Sequence, residues 1–223
     1  MADNFLQDKL RCKRCQAKDY INLKYNSYRL LGDNTAKKNV IVFDLDGVLA
    51  NTVKQTLRNI EEETAIKKTN DDIKHYDMTI DLGLTWDYII GAFRKAWKDY
   101  EKIEPVDPNI PYILNKLHEK SEIYIVTSSV GADKEIIGWL KMNNIVYDKL
   151  IHVKRDIEKL NVKADIFIED NPHLAMELKN AGKFVIMLKQ PWNVEFRNNG
   201  IAFAMDWNEL FNIINKRLNE KLS

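Results

Sequence analysis

Two pairs of carboxylates stand out in this chain, Asp44 with Asp46 and Glu169 with Asp170. Val40, Ile41, Val42 and Phe43 lead into the first pair, and Ile166, Phe167 and Ile168 lead into the second. Short apolar runs rich in β-branched residues read as strands covered on both faces. Taking a carboxylate out of water is costly, so acids at such positions need a reason. In an extended chain alternate side chains share a face: Asp44 and Asp46 point the same way, and Leu45 turns back to the core. Gly47 can then take the positive φ that a tight turn demands. Convergent carboxylates at the carboxyl end of a parallel strand can hold a hard divalent cation such as Mg²⁺ beside a phosphate. One of them could also attack phosphorus while its neighbour handles protons. A plain solvated turn is one rival reading. A calcium loop is the other, but it needs further oxygen ligands and a downstream glutamate, and Val48-Leu49-Ala50 follows here.

The stretches between the pairs add groups suited to phosphate. The apolar run Ile123-Tyr124-Ile125-Val126 ends in Thr127-Ser128-Ser129, with Gly131 close behind. Small hydroxyls at the carboxyl end of a strand can hydrogen-bond phosphate oxygens. A cation is also needed, because an aspartate that attacks a phosphate dianion is opposed by like charge. Lys154, Lys159 and Lys163 precede the second acidic strand, and residue type alone does not choose among them. Acids more than a hundred positions apart can meet, since a parallel sheet gathers its strand ends along one edge.

The elements that must position these groups follow from hydrophobic period. After Thr52, Val53, Leu57, Ile60 and Thr64 recur at helical steps, and a connector with Asp71, Asp72, His75 and Asp77 closes at Gly83. Thr85 reads as the cap of a second helix bearing a stripe of Trp86, Ile90, Phe93, Trp97 and Tyr100. Pro105, Pro108 and Pro111 mark the exit from this helical insert. Aromatics at such spacing usually fill a core, yet Trp86, Phe93 and Trp97 are also the candidates for stacking on a flat base. Later helices are expected from Asn109 to Lys120, around Ile136 to Leu140, from Pro172 capped by Asn171 and stopped by Gly182, and from Asp206 onward. A further buried strand is expected from Phe184 to Leu188.

With 223 residues, 45% hydrophobic and 30% charged, the chain can bury one substantial core plus a small accessory unit. A net charge of +1, spread along the length, does not suggest a dedicated nucleic-acid binder. No run reaches the ~18 apolar residues of a membrane span, and Met1-Ala2-Asp3-Asn4 lacks signal-peptide character, so a cytoplasmic protein is expected. Cys12 and Cys15 are the only cysteines. They cannot build a disulfide framework, and they supply half of the four ligands of a structural Zn²⁺ site, which a homodimer could complete.

The motifs in order resemble those of the haloacid dehalogenase-like phosphohydrolases. Asp44-Leu45-Asp46-Gly47-Val48-Leu49, Ile125-Val126-Thr127-Ser128, Ile168-Glu169-Asp170-Asn171-Pro172 and Gln190-Pro191-Trp192-Asn193 look most like the 5'(3')-deoxyribonucleotidase branch. The resemblance implies an α/β fold, a Rossmann-like parallel sheet flanked by helices with a small helical C1 cap. It divides the chain into an N-terminal extension at 1–39, a core at 40–52 and 105–223, and a cap at 53–104. It makes Asp44 the nucleophile and Asp46 the general acid/base, and it gives Mg²⁺ to Asp44, Asp46 through its carbonyl, and Asp170. Thr127, Ser128 and Lys159 would hold the phosphoryl oxygens, with Lys159 chosen by its ten-residue lead on Glu169, which would orient it. Glu169 stands where an aspartate is more usual, which keeps the charge and lengthens the arm. The implied activity is Mg²⁺-dependent hydrolysis of small-molecule phosphomonoesters, nucleoside and by likeness deoxyribonucleoside 5'- or 3'-monophosphates, through an aspartyl-phosphate. Two alternatives stand beside it: another small phosphoester or a nucleic-acid 3'-phosphate as substrate, and a zinc-bridged binding module with a vestigial site.

Overall fold

The computed structural model describes residues 38–129 and 131–220. The N-terminal extension, and with it the Zn²⁺ reading of Cys12 and Cys15, lies outside the described residues. Six strands form one all-parallel sheet: β1 (Asn39–Phe43), β2 (Ser121–Thr127), β3 (Lys149–His152), β4 (Ile166–Glu169), β5 (Val185–Leu188) and β6 (Ala202–Ala204). Their order across the sheet is β3-β2-β1-β4-β5-β6. Among the described residues seven α-helices accompany them: α1 (Thr52–Thr64), α2 (Met78–Leu82), α3 (Trp86–Lys98), α4 (Ile110–His118), α5 (Asp133–Met142), α6 (Pro172–Asn180) and α7 (Trp207–Glu220).

The strands are apolar on both faces because both are covered. Ile41 and Phe43 of β1 join Ile123, Ile125, Ile166 and Ile168 in one core, packed with Leu114 of α4, Ile136 of α5 and Leu210 of α7. Val40 and Val42 join Tyr124, Val126, Phe167 and Met187 in the core on the opposite face, under Leu174 and Leu178 of α6. Alternation along β1 thus feeds two cores at once, as a doubly wound sheet requires. Strand order reverses direction between β1 and β4, and the crevice outside the carboxyl ends at such a reversal is where ligands bind in open α/β sheets. Asp44 follows β1 and Asp170 follows β4, so the two acidic pairs flank that crevice.

Between β1 and α4 the chain makes the helical insert. The connector that separates α1 from α3 is more ordered than its sequence pattern indicates, with a 3₁₀ turn at Asn70–Asp72 and the single-turn α2. Val53, Leu57, Ile60, Met78, Leu82, Ile89 and Ala92 give the insert its own apolar cluster, which Trp192 completes from the core. The last turn of α3 is different: Trp97 packs with the main core. The two linkers of the insert are paired, with an antiparallel bridge between Ala50 and Pro105. The Asn51 N–H donates to Glu104 O at 2.9 Å and the Val106 N–H to Leu49 O at 2.9 Å. No helix among the described residues is long and apolar enough to cross a membrane.

Candidate active site

Asp44 is held by its own strand end. Its backbone N–H donates to Ile168 O on β4 at 3.0 Å, and its Oδ1 accepts from the Leu45 N–H at 2.8 Å. Lys159, on a 3₁₀ turn at Asp156–Asn161, is 1% exposed, which is exceptional for a lysine. Its Nζ lies 2.8 Å from Asp44 Oδ1, 3.0 Å from Glu169 Oε1 and 3.9 Å from Asp156 Oδ1. Lys154 and Lys163 are both exposed. Asp44, Glu169 and Asp170 each offer an oxygen, and these oxygens lie within 4.8 Å of one another.

Asp170 is placed by a segment that the sequence offered only as a family-like string. Trp192 Nε1–H donates to Asp170 Oδ2 at 3.2 Å, and Asn193 Nδ2 donates to Asp170 O and to Leu188 O, both at 2.9 Å. Gln190 Nε2 donates to Gly47 O at 2.7 Å, so the same segment braces the turn after β1. Gly47 needs to be glycine twice over. Its φ is +76°, and a Cβ there would sit 2.1 Å from Asp170 Oδ2.

Asp46 behaves differently from the other acids. Its carboxylate is engaged by other groups, Oδ1 accepting from Trp97 Nε1–H at 3.0 Å and Oδ2 from the Ser129 hydroxyl at 2.5 Å. Thr127 is buried, and its Oγ1 accepts the Ser129 N–H at 3.1 Å. Ser128 and Ser129 line a cavity of about 650 Å³ with Asp44, Asp46, Asp156 and Asp170 at its floor. The opposite wall carries Tyr76, Met78, Trp86, Phe93 and Arg94 from the insert, together with Trp97. Trp86 is 52% exposed at the rim, whereas Trp97 is 2% exposed. Asp156 and Tyr76 had no signal in the sequence, because a single acid or tyrosine in a connector has no period to betray it.

Burial dominates the electrostatics. It pushes Asp44 up to about 6, against the attraction of Lys159. It also raises Asp46, and it lifts Glu169 and Asp170 well above the ordinary carboxylate range. Lys159 is desolvated too, but the facing carboxylates of Asp44, Glu169 and Asp156 outweigh that and hold it charged. Glu169 Oε2 is buried with no hydrogen-bond partner. An all-carboxylate oxygen set with one orphaned buried oxygen fits a hard divalent cation such as Mg²⁺.

This makes a prediction whose sign is fixed. A carboxyl whose folded value is raised stabilises the protein below its unfolded value, here 3.8 for Asp44, and loses that contribution as pH rises through about 6. Cation-free protein therefore carries an electrostatic penalty at neutral pH that a bound cation removes. Saturating Mg²⁺ is expected to raise the unfolding temperature by about 5 °C at pH 7 and by about 1 °C at pH 5, measured by differential scanning fluorimetry. Surface acids with lowered values act equally in both arms and cancel. An increment that does not depend on pH would remove Asp44 and Asp170 from the cation site.

The fold is haloacid dehalogenase-like. Solved structures agree: a hydrolase of that family from Streptococcus pneumoniae matches with TM-score 0.59 at 14% identity, covering 79% of this chain and 98% of that one. A predicted phosphatase from Clostridium acetobutylicum matches with TM-score 0.58 at 17% identity, covering 81% and 100%. Protein tyrosine kinase A from Mycobacterium tuberculosis matches as well, with TM-score 0.60 at 12% identity, covering 80% and 99%. Such likeness is one of fold, and fold alone does not choose the reaction. The family is narrower. The chain belongs to the 5' nucleotidase, deoxy (pyrimidine), cytosolic type C (NT5C) family, whose model matches residues 38–221. A nucleotidase of Clostridium acetobutylicum is 31% identical over 120 residues, a stretch covering 51% of this chain and 60% of that relative. The match thus spans less than two-thirds of the relative's length.

Proposed function

We propose that this chain is a Mg²⁺-dependent phosphatase of nucleoside monophosphates that works through an aspartyl-phosphate on Asp44, with deoxyribonucleotides the expected preference by family. The observation that carries this reading is the Asp44 carboxylate at the floor of a cavity with an aromatic wall, backed by the buried Lys159 ammonium 2.8 Å away. An ordinary structural ion pair has no need to face a cavity of about 650 Å³.

Residues 53–104 act as the cap over a core formed by 40–52 and 105–223. Trp86 and Phe93 offer ring faces to a base, and Ser128, Thr127 and Lys159 bind phosphoryl oxygens. An Asp44 carboxylate oxygen attacks phosphorus in line, and the ester P–O bond breaks as the leaving oxygen takes the proton of the Asp46 carboxyl. Water then attacks the phosphorus, Asp46 takes a proton from that water, and the P–O bond to Asp44 breaks to free phosphate. Burial, which raises Asp46, suits a carboxyl that must hold a proton before giving it up. Asp44, Asp170 and the Asp46 carbonyl would hold Mg²⁺, which neutralises phosphoryl charge when bound, and Glu169 steers Lys159 at 3.0 Å.

The test is phosphate release across a panel of deoxyribo- and ribonucleoside 5'- and 3'-monophosphates, sugar phosphates and a 3'-phosphorylated oligonucleotide, with Mg²⁺ and with chelator. Mononucleotide turnover that chelation abolishes is expected. Preference for the sugar phosphates or the oligonucleotide would replace the substrate class while leaving the chemistry. The zinc-bridged module rests on Cys12 and Cys15 and has no support from the described residues.

A further inference from the structure

Trp97 belongs to the aromatic stripe that the sequence offers for base stacking, but its position serves another purpose. The ring is 2% exposed, so little of its face is open to a ligand. Its Nε1–H points at Asp46 Oδ1, 3.0 Å away. The ring is wedged edge-on against Trp139, with centroids 6.3 Å apart and planes at 85°. Trp139 is in turn pinned by its own Nε1–H donating to Ile103 O at 2.8 Å. Trp97 thus has a fixed direction, set by packing against the main core.

An indole N–H only donates, so the oxygen it meets must present a lone pair. We infer that Trp97 is a positioning residue that fixes which oxygen of Asp46 carries the catalytic proton. Oδ1 is held as the acceptor, which leaves Oδ2 to give and take the catalytic proton; the Ser129 hydroxyl, a rotor, donates to Oδ2 when it is bare and accepts from it when it is protonated. Oδ2 faces the Ser129 hydroxyl at 2.5 Å, and both Asp46 and Ser129 line the cavity. In the first half-reaction the proton leaves Oδ2 for the departing ester oxygen as the P–O bond breaks. In the second it returns from water to the same Oδ2. Without the indole N–H only the Ser129 hydroxyl holds the carboxyl, and a smaller fraction of molecules presents the proton toward the leaving group. The inference rests on the role of Asp46 proposed above.

Trp97→Phe keeps the packing and removes the donor; Trp139→Phe disturbs the same aromatic pair without touching Asp46. For nucleoside monophosphates, Trp97→Phe is expected to lower kcat about tenfold or more, the worth of one hydrogen bond to a charged group, with KM within about twofold. With 4-nitrophenyl phosphate, whose leaving phenolate departs without a proton, the loss should shrink to about twofold. Trp139→Phe should lower thermal stability and, because it loosens Trp97 but keeps the donor, show a smaller kcat loss with the same difference between the two substrates. Equal kcat losses on both substrates in Trp97→Phe, or a change confined to KM, would overturn the inference. A second readout needs no turnover. In a ¹H–¹⁵N spectrum of the five tryptophans, the indole signal lost in Trp97→Phe must be the one displaced in Asp46→Ala, and a signal left in place refutes the contact. Wild-type protein that hydrolyses none of the substrates refutes the nucleotidase reading instead, while the indole signal still reports on Trp97 and Asp46.

Discussion

Asp44→Asn is expected to release phosphate at no more than about a thousandth of the wild-type rate while remaining as stable as the wild type. The two halves of this expectation come from different atoms. Turnover goes because a side-chain amide cannot form the acyl phosphate, whatever else is in place. Stability remains because the amide oxygen can still accept from the Leu45 N–H and from Lys159 Nζ, each 2.8 Å from the present Oδ1. Burial already disfavours the Asp44 charge, which is why its carboxyl is pushed up to about 6. A neutral group there relieves repulsion with Asp156 and Asp46. Phosphate release under saturating Mg²⁺, read beside thermal unfolding of the same samples, checks both halves. Undiminished turnover would falsify the nucleophile assignment.

Lys159→Met should do the opposite and damage both. The ammonium faces Asp44, Glu169 and Asp156 at 2.8, 3.0 and 3.9 Å. Removing one partner of a buried ionic set leaves the others uncompensated, at a cost of about 3–5 kcal/mol. In a chain of this length that is a fall in unfolding temperature of about 10 °C or more. Saturating Mg²⁺ should recover part of the lost stability, because a divalent cation can neutralise Asp44, Glu169 and Asp170. It should not recover turnover, which is expected to remain down by about a hundredfold or more for want of the cation that offsets phosphoryl charge. A Lys159→Met protein with wild-type kinetics would leave the lysine a purely structural role.

The sequence is most informative where burial and charge conflict. Asp44, Asp46, Glu169 and Asp170 are conspicuous because each follows a run of apolar residues, and the all-parallel sheet with helices on both faces follows from those same runs. The caps at Thr85 and Asn171 are equally local: Thr85 Oγ1 accepts the Tyr88 N–H at 3.4 Å, and Asn171 Oδ1 accepts the His173 and Leu174 N–H groups at 3.0 and 3.2 Å. Local chemistry of this kind can be read in order along the chain. Lys159 is intermediate, since three lysines compete on composition and only a family spacing separates them. β6 and α2 carry almost no signal, at three and five residues. The tertiary hydrogen bonds carry none at all. That Trp192 points its N–H at Asp170, or that Trp97 points at Asp46 rather than into the cavity, depends on packing between elements distant in the chain.

The paired linkers at Ala50 and Pro105 carry one more consequence. Leu49 and Val106 are joined by a single hydrogen bond, so everything in the chain between them leaves and rejoins the sheet at essentially one point. Lengthening, shortening or rebuilding that excursion imposes no shift on β1 or β2, and the acids at their ends keep their register. The acids at the strand ends are thereby insulated from changes in most of the excursion. Trp97 is the exception, since its N–H reaches back to Asp46, so a rebuilt insert has to keep a donor at that point.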